Sequence, residues 1–137
     1  MPALFNFEIH TPFRLFYSGQ VQAVILTLVD GEIGVYANHA PFTAVTVSGI
    51  LRIMDENEVW RSAFVSTGIF EVKKGKYVLM AESAEWPEEI DKERALVSMK
   101  QAQKTLDDVN FKFEIDKAKE KLRRADYRLK ILEQTDE

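Results

Sequence analysis

A chain of 137 residues with 46% hydrophobic and 29% charged content suits one compact domain, or a small domain with an appendage. Its net charge of −4 gives no general attraction to nucleic acid or anionic lipid, and the lack of cysteine excludes disulfides, thiolate nucleophiles and thiol metal sites. The longest apolar runs, such as AVILTLV, are far too short to span a bilayer, so work at a membrane would have to go through another subunit.

The N-terminus leads straight into alternating residues without the charged-then-apolar pattern of a leader, and a reducing cytosol is the simplest compartment. Phe5, Phe7 and Ile9 alternate with Asn6, Glu8 and His10, the period of a half-buried strand that Thr11-Pro12 ends. RLFYS, QVQAVILTLV, EIGVYA, TAVTV, ILRIM, EVWRSAFVS, IFEV and YVLMAE follow as further strands. Between them stand the turn signals SG, DG, NHAP, SG, DEN, TG and KKGK. So many short strands predict a β-sandwich or flattened barrel over residues 1–87.

The composition then changes. Residues 1–87 carry fifteen charged residues and residues 88–137 twenty-five, whereas every glycine and proline lies before residue 88. Trp86-Pro87 marks the start of a first helix, with Glu88, Glu89, Asp91 and Glu93 near the positive end of its dipole. Ala95, Met99, Ala102, Leu106 and Val109 form one heptad-like seam; Ile115, Ala118, Leu122, Ala125, Leu129 and Leu132 form a second. With DDVNF as the break, residues 88–137 read as an antiparallel two-helix hairpin. An alanine-rich seam buries little apolar area, so the hairpin should be the less stable half and able to open onto a better surface.

Chemistry-bearing residues gather in VDGEIGVYANHAPFT. A hydrolase would use His39 as general base, Glu32 or Asp30 as its orienter, and Thr43, Thr46 or Ser48 as the hydroxyl. None sits in a nucleophile-elbow frame, and turn chemistry accounts for the same glycines, asparagine and proline. His10 and His39 fall in different elements without metal-ligand spacing, and neither phosphate-binding glycine motif occurs. On the hairpin, Asp91 and Arg94 share a helical turn, and Arg124 and Arg128 lie four apart. With the loop near residue 111, Arg94 would face Arg128, a like-charge pair inviting an anion from Asp91, Glu85 or a phosphate. A solvated salt-bridge network explains the same pattern.

Ordered stretches along nearly the whole chain also resemble a known family, the epsilon subunit of bacterial and chloroplast F-type ATP synthases. They are IHTPFRLFYSG, the GEIGV…HAP…GILRI block, STGIFEV and EEIDKERA. Tyr36-Ala37-Asn38 departs from the family's Leu-Pro-Gly or Leu-Pro-Asn, and Trp86-Pro87 from its Arg-Ala-like pair. The resemblance implies a non-catalytic central-stalk subunit that needs no cofactor, at the cytoplasmic face of the membrane. A rotor-binding domain over residues 1–87 would join the gamma subunit and the c-ring, with Glu32 and His39 as interface candidates. A regulatory hairpin over residues 88–137 would inhibit when extended toward the alpha and beta subunits. In some members ATP binds the folded hairpin, and Glu85, Asp91, Arg94, Arg124 and Arg128 match those positions. A stand-alone ATP-sensing module is the alternative.

Overall fold

Phe5, Phe7 and Ile9 turn inward from the first strand, as their alternation predicts. The computed structural model describes residues 3–107 and 115–135. Nine strands come first: β1 (Phe5–His10), β2 (Leu15–Leu28), β3 (Gly31–Tyr36), β4 (Phe42–Thr46), β5 (Gly49–Asp55), β6 (Trp60–Val65), β7 (Gly68–Lys73), β8 (Lys76–Ala81) and β9 (Ala84–Glu85).

The Ser18-Gly19 pair does not turn the chain, contrary to expectation. Both stretches around it belong to the single 14-residue strand β2. Gly19 lies opposite Phe7 on β1, and a side chain there would come within 3.1 Å of the Tyr17 hydroxyl. The glycine makes room for a ring rather than a reversal. The first half of β2 pairs with β1 and its second half with β3 and β5, so this strand serves both layers. One layer continues from β1 through β8 and β7 to β4, the other from β5 through β6 to β9. Together they form the β-sandwich read from the sequence.

Between the layers, Phe7, Ile9, Val24, Leu26, Leu51, Ile53, Phe70 and Leu79 are almost wholly removed from water. Each such side chain contributes on the order of 2 kcal/mol by burial. Phe70 lies edge-on to Phe7 and Phe42, at 6.2 and 5.6 Å between ring centroids. Gly68 begins β7 where a Cβ would meet the Met80 carbonyl oxygen at 2.3 Å, so β7 and β8 can approach only over a glycine.

Helical structure begins differently from the expectation. Pro87 opens a separate 3-10 turn, Pro87–Glu89, and α1 runs only from Lys92 to Asp107. The Glu89 carboxylate reaches back to the Trp86 N–H (2.9 Å) and closes that turn on itself, after which Ile90 is extended at φ −83°, ψ 126°. Glu88 and Glu89 therefore stand outside the first turn of α1. Asp91 caps α1 instead, its Oδ1 accepting the Arg94 N–H at 3.0 Å.

α2 (Ile115–Thr135) packs along α1, and Ala95, Ala102, Ala118 and Ala125 of the predicted seams are all buried. Val109 and the DDVNF break from residue 108 onward lie outside the described residues. Ile131, absent from the predicted seam, is fully buried, while Leu129 and Leu132 are half-buried. The seam assumed one covered face; α2 has two, because it also lies against β5 and β6.

Candidate functional site

Among the described residues, three polar attachments join the hairpin to the sandwich. The buried Ser48 hydroxyl donates to Glu120 Oε1 at 2.7 Å, and Arg123 Nε donates to the Ser48 carbonyl at 3.0 Å. Glu85, fixed by pairing of β9 with β6, accepts Arg128 Nε at 2.8 Å and Nη2 at 3.2 Å. The Arg128 guanidinium also lies 4.5 Å from the Phe64 ring centroid.

Beside this last attachment opens a cavity of about 250 Å³. Glu85, Asp91, Arg94 and Arg128, four of the five residues read from the sequence as an anion site, line it together. The fifth, Arg124, does not; it stands 3.7 Å from Glu120 on its own helix. Glu89, Ile90, Ala95 and Ser98 complete the lining. Glu85 balances Arg128, whereas Arg94 has no ion pair among the described residues. The Trp86 N–H, and after it Arg14, hold the Glu89 carboxyl below the usual glutamate range. One Arg14 Nη2 donates to both Glu89 oxygens, at 2.9 and 2.7 Å. The volume falls just under the roughly 300–1,000 Å³ of pockets that engulf a drug-sized ligand.

Glu32 and His39 are not brought together, for they flank opposite ends of β3. Glu32 pairs with Arg52 at 2.8 Å. His39 donates its backbone N–H to the Tyr77 hydroxyl at 3.1 Å, and its Nδ1 lies 2.7 Å from the Ala40 carbonyl. Tyr77 in turn donates to the Tyr36 carbonyl at 2.9 Å, and Asn38 takes a positive φ of 62° to make the turn. With Ser48 committed to Glu120, the hydrolase arrangement does not form, and turn chemistry accounts for the stretch. Tyr77→Phe deprives the His39 turn of both hydroxyl bonds. It should lower stability by about 1–3 kcal/mol, read by denaturant unfolding, and speed amide exchange at His39.

A second cavity, of about 560 Å³, opens on the outer face of the sandwich and includes His10, Pro12, Ile69 and Met80. Val45, Ile69 and Met80 are exposed and stand in register across β4, β7 and β8. Such an apolar row suits contact with another protein. Its members lie on three separate strands, and only their register joins them.

Two family models divide the chain between them. The beta-sandwich domain of the ATP synthase delta/epsilon chain matches residues 4–87, and the long alpha-helix domain of the same chain matches residues 88–133. The chain belongs to the ATP synthase delta/epsilon family. An ATP synthase epsilon chain from Caldicellulosiruptor bescii is 38% identical over 135 residues, 98% of each chain. The epsilon chain of Caldanaerobacter subterraneus is 38% identical over 132 residues, 96% of this chain and 95% of that one. Among solved structures, a chain of the Euglena gracilis mitochondrial ATP synthase (OSCP, F1 and c-ring) superposes with a TM-score of 0.82. That match covers 96% of this chain and 83% of the other at 20% identity, and it speaks to the fold. The Tetrahymena thermophila mitochondrial ATP synthase central stalk and c-ring provides a weaker likeness, with a TM-score of 0.58 at 13% identity.

Proposed function

We propose that this protein is the epsilon subunit of an F-type ATP synthase, a non-catalytic part of the central stalk. The carrying observation is 38% identity to an epsilon chain along 98% of both chains, sandwich and hairpin included. The sandwich joins the gamma subunit and rests on the c-ring, passing ion-driven rotation to ATP synthesis. Glu32 and His39 serve as contacts at the two ends of β3. Among the described residues no helix is long and apolar enough to cross a membrane. The subunit meets the cytoplasmic face through the complex. Identity along the whole chain favours this role over a stand-alone ATP sensor.

The hairpin regulates. Folded on the sandwich it permits hydrolysis, and extended toward the alpha and beta subunits it inhibits. ATP is its regulatory ligand, held at Arg94 and Arg128 with Glu85 and Asp91 beside them, a reading supported by the shared cavity and the uncommitted Arg94. A ligand that binds only the folded hairpin shifts the balance by RT ln(1 + [L]/Kd), about 2.7 kcal/mol at a hundredfold excess over Kd. Co-expression with a gamma subunit should yield a stable complex, and calorimetry should detect ATP binding to the isolated chain. Failure of the complex to form would remove the stalk role; absence of binding heat would remove the ATP ligand.

A further inference from the structure

The segment that joins the two halves is fastened to the sandwich. Trp86 stacks on Phe16 with ring centroids 4.5 Å apart and meets Tyr17 edge-on at 6.2 Å. The Arg61 guanidinium lies 3.8 Å over the same indole, a cation–π contact from β6. Arg14, from the connection between β1 and β2, holds both oxygens of Glu89 and comes within 3.5 Å of the Ala84 carbonyl. The rings and charged groups of this clasp all come from the sandwich or from the joining segment itself, although the 3-10 turn also packs against α2. By contrast, Asp91 belongs to α1, which it caps, and Ile90 between them is extended, with its N–H bonded back to Pro87 at 3.2 Å.

We propose that the hairpin pivots at Ile90–Asp91, and that Arg14 is a positioning residue which, through Glu89, keeps the sandwich side of the cavity assembled while the hairpin is away. The mechanical division of the chain then falls after the 3-10 turn. Glu85 and Glu89 stay with the sandwich; Asp91, Arg94, Ser98 and Arg128 travel with the helices. Once Arg128 leaves, Glu85 and Glu89 are left as two neighbouring carboxylates, and Arg14 is the cation that remains to hold one of them in place. A nucleotide would bridge the stationary and the moving half, a consequence that rests on the ATP reading above, whereas the pivot rests only on the opening of the hairpin proposed there.

Because the chain has no native cysteine, spin labels can be placed at will. Thr43→Cys on the sandwich is paired with Glu88→Cys before the pivot or Lys100→Cys beyond it, all three positions being exposed. The hairpin is freed in the full chain by Arg128→Ala. The 43–100 distance should then spread by about 10 Å or more, since a 16-residue α1 is about 24 Å long. The 43–88 distance should stay single, and adding Arg14→Ala should spread it while Arg14→Lys, which keeps the charge, recovers part of the narrow distribution. In the otherwise unmutated chain, Arg14→Ala should weaken ATP binding about threefold, the loss expected of one partly exposed ion pair. The proposal is overturned if 43–88 spreads with Arg14 intact, if Arg14→Ala leaves it narrow, or if 43–100 never spreads. Absence of ATP binding by the unmutated chain would remove the nucleotide consequence alone, and the distances would still decide the pivot.

Discussion

Phe70→Ala should destabilise the sandwich by about 3–5 kcal/mol, a large share of the stability of a domain this size. The ring is wholly buried and touches Phe7, Phe42 and Tyr77, so its removal leaves a void bounded by three aromatic rings that sheet pairing holds in place. Tyr77 also carries the His39 turn, and the loss of packing should reach that end of β3. Urea unfolding followed by far-ultraviolet dichroism measures the change. A loss below about 1 kcal/mol would mean that the neighbours collapse into the space, contrary to the interlocked packing described.

Arg128→Ala should act on the hairpin and leave the sandwich standing. Two charge-assisted hydrogen bonds to Glu85 and the contact over Phe64 go at once, and Glu85 is left partly buried without its partner. Both side chains are less than a third exposed, so the loss of hairpin docking should be about 2 kcal/mol rather than the fraction typical of surface pairs. On the ATP reading proposed above, affinity should fall at least about tenfold, by loss of a cation and of the docked population together. Amide exchange separates the two contributions. Faster exchange in α1 and α2 without ATP reports undocking, and unchanged exchange there would show that Arg128 does not secure the hairpin.

Much of this architecture was legible because local pattern and tertiary environment agree. The alternation of Phe5, Phe7 and Ile9 is the inward face of β1, and the alanines at 95, 102, 118 and 125 are the helical contact. Misreadings arose where one residue type serves two physical ends. Gly19 gave the signal of a turn, yet it spares the Tyr17 ring inside a continuous strand. The position of Ile131 depends on a second face of α2, which a single seam cannot reveal. Arg94 and Arg128 could be matched because a hairpin makes their separation in sequence a prediction of proximity. No such symmetry links Arg14 to Glu89, 75 residues apart, or joins Val45, Ile69 and Met80 across three strands.

The long strand β2 has a further consequence for a part seated in a rotating shaft. Load applied to the β1–β8 side reaches the β5–β6 side along covalent backbone, and need not cross a slip plane of apolar side chains. Shearing one layer past the other would require bending or tearing this single spar. Torsional stiffness is therefore built into the connectivity, and the pivot proposed at Ile90–Asp91 lies outside this spar.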